Sequence, residues 1–300
     1  MGTQFWWFYD VIAGAILLIS IFAGSKSGVK KSVFYFAAAL ISVVVAMLMS
    51  DTISENLCKG PISSSNSRKI ENEIDTDTFV AEYIEELEDM GYSIRIDASK
   101  FEKALKKEGN INENVADYIN DINGHNVDKR DIVIEKVRES FGIVISDTVS
   151  RTIGRYAAIT AAKTIKEDTE SMQELIPLLL TDEENMFPAA GVIADKYVSP
   201  AYKVIGKLVA FLIVFALLFL IIMVSLNAFY GDRKAEPVGM ASHITGGIFG
   251  ILTAVPLIFA AAVCVRLWAV MGNDEMLFFN NAAVDKTYVF RYFYEFLMKF

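Results

Sequence analysis

The sequence predicts an all-α membrane protein: a four-helix transmembrane bundle with an inserted soluble helical domain and a C-terminal interfacial amphipathic helix. Three observations predict it. Long apolar runs nearly free of charge occupy both ends of the 300 residues, the acidic residues concentrate in the middle, and the apolar residues of that middle recur at helical spacing. Two materials in one chain also explain the composition, which is 53% hydrophobic yet 22% charged, with a mean hydropathy of +0.37. Residues 51–200 hold 30 of the 37 Asp and Glu but only 17 of the 28 Lys and Arg, a local net charge of −13 against +4 for the flanks. Plentiful aromatics, a pI near 4.9 and two cysteines argue against a disordered acidic chain, a nucleic-acid binder and a disulfide scaffold.

Residues 5–50 are expected to form the first two membrane helices. The first run is Phe5–Ser25, with Asp10 near its outer edge as its one ionisable group, and the second is Ser32–Ser50, without charge. About 20 helical residues cross the hydrocarbon core, and only a helix closes its own backbone hydrogen bonds there. Residues 1–9 contain no Lys or Arg, so the first run reads as a retained helix rather than a signal peptide. Residues 203–272 are expected to hold the third helix, Leu208–Gly231, and the fourth, Pro237–Val265, with His243 near its start.

Lys26, Lys30 and Lys31 crowd the first connection, and Arg233 and Lys234 lie in the connection between the third and fourth helices. Positive charge in short loops marks the cytoplasmic side, so the insert and both termini are expected on the extracytoplasmic side of the cell membrane. Lys203, Lys207 and Arg266 run against this assignment, although long basic side chains snorkel to the interface.

The insert, residues 51–200, reads as a set of helices. Phe79, Tyr83, Leu87 and Met90 mark one that Gly91 stops; Phe101 and Leu105 mark a short one ended by Gly109-Asn110; Val115, Tyr118, Ile119 and Ile122 mark a third closed by Gly124. A single core helix is expected over Asp131–Lys166, and Thr181 with Glu184 forms a capping-box pattern before the last segment. Residues 60–77, rich in Ser, Asn and acidic side chains, read as a flexible tether. Within residues 273–300, the stretch Tyr288–Phe300 carries seven aromatics among thirteen residues, which predicts a helix on the outer leaflet, capping the bundle, or packed on the acidic domain.

Small residues give a finer signal. Gly24 and Gly28 are spaced four apart, as are Gly246 and Gly250, with Gly247 between the latter two; such spacing lets helix backbones approach closely. Asp10 either marks the water boundary of the first helix or faces an interface or polar path. Chemistry is sparse. His125 and His243 are far apart and read as polar surface residues, and Asp121–Asp128 departs from a calcium loop in its glycine position and in lacking a Glu at its twelfth place. The run Glu85, Glu86, Glu88, Asp89 reads as a solvated face or, failing that, a site for a cation or basic partner, and Cys58 and Cys264 read as unpaired. No cofactor, no metal site and no nucleophile–base constellation is expected.

The opening Phe8-Tyr9-Asp10-Val11-Ile12, the turn Gly24-Ser-Lys-Ser-Gly28-Val-Lys, the helix segment Ile244-Thr-Gly-Gly-Ile-Phe-Gly250 and the tail segment Asp285–Glu295 resemble the colicin V production protein (CvpA-like) family of bacterial inner-membrane proteins. The resemblance covers roughly residues 5–55 and 203–296; the family typically joins its second and third helices by a short loop, where this chain has about 150 residues. It implies a part in colicin V production or export and in envelope upkeep, and brings no catalytic residues. The expected function is therefore a non-enzymatic membrane scaffold or assembly factor, homo-oligomeric in the lipid bilayer, with a protein partner on the acidic insert and no nucleic acid. The alternative is an oligomeric pore or transporter-like subunit with the insert as sensor, which calls for more intramembrane polar groups than the sequence offers.

Overall fold

The structure, a computed structural model, describes residues 5–91, 95–181, 186–230, 239–272 and 280–298; Arg233, Lys234 and Glu184 lie outside them. All regular secondary structure among the described residues is helical. The chain divides into two compact units, one of residues 1–56 with 204–300 and one of residues 57–203.

Three helical runs are long and apolar enough to cross a membrane: Trp7–Glu71, Phe187–Phe229 and Met240–Met271. The first unit is built on α1 (Trp7–Leu57), which is not straight. Gly28 stands inside it at φ 73 and ψ 172, outside the helical region, and the Ser32 hydroxyl reaches back to the carbonyl oxygens of both Gly24 and Gly28 at 2.7 Å. Glycine reaches positive φ without the penalty a Cβ would bring, and a hydroxyl takes up carbonyls that the broken ladder leaves open.

Both arms of α1 pack on one later helix. With α10 (Ser199–Tyr230) and α11 (Met240–Met271) defined, Tyr9 and Ala13 of the first arm join Ala254, Ile258, Ala262 and Val265 of α11 in one apolar cluster. Val43 and Ala46 of the second arm meet Leu208 and Phe211 of α10 and Phe259 and Val263 of α11 in another. The first arm thus runs antiparallel to α11 and the second parallel to it. Lys207 of α10 pairs with Asp51 at 2.7 Å, which accounts for one of the basic residues at odds with the charge rule. α11 contains Pro256, tolerated in lipid-facing helices where neighbours satisfy the freed backbone. Short α12 (Asn281–Val284) and α13 (Phe290–Met298) close the unit, with Phe290, Tyr294 and Leu297 of α13 buried.

The second unit comprises α2 (Ser63–Glu71), α3 (Thr76–Asp89), α4 (Ala98–Leu105), α5 (Ile111–Asn123), α6 (Arg130–Thr152), α7 (Arg155–Glu167), α8 (Ser171–Leu179) and α9 (Phe187–Val192), with π-helical turns at Cys58–Ile62 and Ile193–Val198. Asp75, Asp97 and Asn110 cap α3, α4 and α5 by accepting from the amides of Thr78, Lys100 and Glu113. Tyr83 is the centre of the core: its ring meets Phe101 and Phe141 edge-on, 5.4 and 5.8 Å between centroids, and its hydroxyl donates to the Val137 carbonyl at 3.1 Å.

Two expectations for this region are corrected. The stretch expected as a tether contains α2, whose Ile70 is fully buried in the same core as Phe79 and Tyr197; serine and asparagine there pack inward, with Asn66 and Ser67 buried. The expected single helix over Asp131–Lys166 is two, because Gly154 adopts φ 132 and ψ 162, a conformation nearly confined to glycine, and α7 turns back onto α6. Gly142 lies against the Ala162 carbonyl, where an added Cβ would sit 3.2 Å away, so the alanine-rich face of α7 does pack closely.

Candidate functional site

In the first unit the five glycines singled out by spacing are all buried. A Cβ built on Gly250 would lie 2.8 Å from Ile21 Cα and nearer still to the Ser20 carbonyl oxygen; one on Gly24 would lie 3.0 Å from Gly250 Cα; one on Gly246 would lie 3.1 Å from the Gly24 carbonyl carbon. Backbone therefore faces backbone across this crossing. Gly247 is looser, with Ile21 and Ser25 side chains at 3.8 and 3.9 Å. Gly24, Gly246 and Gly250 thus meet within one chain.

The turn at Gly28 is tied to the start of α11. Ser242 Oγ accepts from the Val29 amide at 3.1 Å, and His243 Nδ1 donates to the Ser25 carbonyl at 2.8 Å. His243 is thus a bridge between elements, not the surface residue expected; His125 is exposed and contacts the Asn123 carbonyl at 2.9 Å. Lys26 and Lys30 are exposed and Lys31 half-buried beside this turn.

Asp10 has a role that no local pattern announces. Its carboxylate accepts from the backbone amides of Tyr288, Val289 and Phe290 at 2.8, 3.0 and 3.0 Å, and so caps the start of α13 from 278 to 280 residues away. Both oxygens are engaged, which removes the rationale for reading Asp10 as the lining of a polar path. Tyr9 supports the same joint: fully buried, it stacks on Phe290 at 5.4 Å and its hydroxyl accepts from the Asn280 amide at 3.4 Å. Arg266, at odds with the charge rule, donates to Asn281 Oδ1 at 3.2 Å and lies over the Tyr294 ring, whose hydroxyl donates to the same oxygen at 2.5 Å.

In the second unit, Glu86, Asp89, Glu139 and Lys136 line a groove of about 230 Å³ together with Met90, Ser140 and Ile143, and Lys166 pairs with Glu139 at 3.1 Å. Burial, and then the neighbouring Asp147, Asp89 and Glu85, raise the pKa of Glu86 above the ordinary carboxylate value. Glu88 of the same run instead accepts from the Ile96 amide at 2.6 Å. Elsewhere Lys196 joins Asp168, at 2.8 Å, to Glu174, and the Tyr197 hydroxyl donates to Asp168 at 2.8 Å. Partial burial pushes the Asp168 pKa up, but the Lys196 and Tyr197 hydrogen bonds outweigh it and hold the group below its usual value.

Cys58 and Cys264 form no disulfide among the described residues. Among the described residues no three His, Cys, Asp or Glu side chains gather as metal ligands would. In the Asp121–Asp128 segment, Asn120 and Asn123 bond to the Val127 amide and the Ile119 carbonyl, as in an ordinary helix-ending loop. Compared with family models, curated proteins and solved structures, the chain matches none of them.

Proposed function

We propose that this chain crosses the membrane four times, α1 folding back at Gly28 to give two crossings, and that it acts as a non-enzymatic scaffold or assembly factor. In this reading the acidic domain stands outside the cytoplasm and receives a protein partner, and the role is the one its colicin V production resemblance implies: bacteriocin or toxin production or export and envelope homeostasis. The observation that carries the reading is the internal use of the membrane unit's small and polar groups. Gly24, Gly246 and Gly250 close a backbone crossing, Asp10 is filled by three amides, and Arg266 and Lys207 have partners. The outward residues along the middle of α10 are apolar, among them Ile213, Leu217, Leu220, Ile221 and Val224, as suits lipid, while the exposed polar residues Lys203, Ser225 and Asn227 fall toward its two ends.

Cysteine labelling tests the topology, in a background lacking Cys58 and Cys264. A membrane-impermeant reagent applied to intact cells is expected to label a cysteine at Ser64 and to spare one at Ser27. Reversed labelling would invert the proposed sides. For the scaffold itself, the purified chain in sealed vesicles is expected to pass no more solute than empty vesicles. Replacing Glu86, Asp89 and Glu139 by Gln, Asn and Gln is expected to abolish copurification of the partner while the membrane unit stays folded. Specific solute flux would defeat the scaffold reading.

A further inference from the structure

A groove of about 330 Å³ opens between the second arm of α1 and α11, beneath α13. Leu40, Val43 and Met47 form one wall, Pro256 and Phe259 the other, and Phe296 the roof. Leu40 to Met47 spans about 10 Å along a helix, and Pro256 is close to the midpoint of α11, so the groove reaches from the level of α13 toward the middle of the span. An α-helix with its side chains is about 10 Å across. A single extended hydrocarbon chain is narrower and meets no polar wall.

The end under α13 carries charge. Tyr292 also lines the groove, and the Arg291 guanidinium lies over its ring at 4.9 Å and donates to its hydroxyl at 3.0 Å. Glu295 follows Arg291 by four residues, one turn along the same side of α13, and both Tyr292 and Glu295 are exposed. The Tyr292–Phe296 stripe over the groove is thus flanked by a cation and an anion one turn apart. A phosphate suits the first and an ammonium the second.

We propose that this groove is a binding site for one zwitterionic phospholipid, its acyl chain along Leu40–Met47, its phosphate on Arg291 and its ammonium beside Glu295. The site rests on the membrane reading above but not on the scaffold role, and its test separates the two. Native mass spectrometry of the full chain from detergent, with added phosphatidylethanolamine or phosphatidylglycerol, is expected to show one retained lipid and a preference for the ethanolamine form. Leu40→Trp, a change at a half-exposed position, is expected to displace that lipid, whereas Leu48→Trp on a fully outward position leaves it. Arg291→Gln is expected to weaken both lipids by up to about fivefold, the size of an exposed ion pair, and Glu295→Gln to abolish the preference. Several equivalent lipids unaffected by Leu40→Trp would overturn the proposal. So would a lipid-free dimer that Leu40→Trp dissociates, because a second copy would then fill the groove.

Discussion

Gly250→Ala should be among the most damaging single-methyl changes in the membrane unit. The new Cβ would stand 2.8 Å from Ile21 Cα, whereas ordinary contact begins at 3.4 Å. Both obstructing groups are backbone, so no side chain can swing aside and the helices must part by roughly 1 Å. A gap of that size forfeits up to about half of each dispersion contact along the crossing, and overpacking of this kind costs about 1–3 kcal/mol. No hydrophobic drive offsets the loss in lipid. The assay is unfolding of the purified chain in mild detergent by increasing dodecyl sulfate, read by circular dichroism. Gly14→Ala is the reference, since nothing lies within 4 Å of its added methyl. Gly14→Ala should be neutral or slightly stabilising by helix propensity, while Gly250→Ala unfolds at a clearly lower detergent fraction. Equal midpoints for the two variants would refute the argument that a backbone-to-backbone crossing holds the unit. A drop in oligomer size with unchanged unfolding would instead return these glycines to an interface between copies.

Asp10→Ala should cost about 0.5–2 kcal/mol at the start of α13 and speed hydrogen exchange of the Tyr288–Phe290 amides, with Asp10→Asn intermediate. Gly154→Ala should destabilise the acidic unit by about 1–3 kcal/mol, measured by urea unfolding, because its φ of 132 is strained for any residue with a Cβ. A fragment of residues 57–203 should be more stable than one of 72–194, which omits Ile70, Tyr197, Val198 and Ala201 from the core; equal midpoints in urea would show that these four residues contribute little. Asp168 is held below its usual pKa in the folded state, so its ion pair stabilises the unit above the ordinary carboxylate pKa and the benefit fades as pH falls through the lowered value. Asp168→Asn should therefore flatten the acid limb of a stability-against-pH curve taken below about pH 4.

The parts of the fold that the sequence shows are those whose cause is local. Runs such as Ser32–Ser50 declare their environment by the absence of charge, and Asp97 before α4 or Gly124 after α5 marks a helix end through the next few residues. Glycine is legible in kind but not in consequence. Gly28 and Gly154 both break helices at positive φ, yet a lone glycine inside a periodic pattern also occurs unbroken, as Gly142 does within α6. The residues expected as a tether misled through composition, because α2 buries Asn66 and Ser67 beside one apolar residue, Ile70, and a single apolar residue sets up no period. Asp10 and His243 stand out in the sequence as polar groups in apolar runs but not as joints, and Tyr9 does not stand out at all, since their partners lie more than 200 residues away. The groove under α13 is assembled from three separated segments and has no signature in any one of them.

The Asp10 cap also sets a schedule for biosynthesis. The carboxylate leaves the ribosome 280 residues ahead of the Phe290 amide that completes its set. At about 5–20 residues per second the nascent first helix waits roughly 15–60 s with a bare acid and an uncovered Tyr9 at its end. Chains interrupted before α13 would carry that lesion permanently. α13 thus seals a joint whose other half was made long before it, and a chain stopped short of α13 is marked at the distant Asp10.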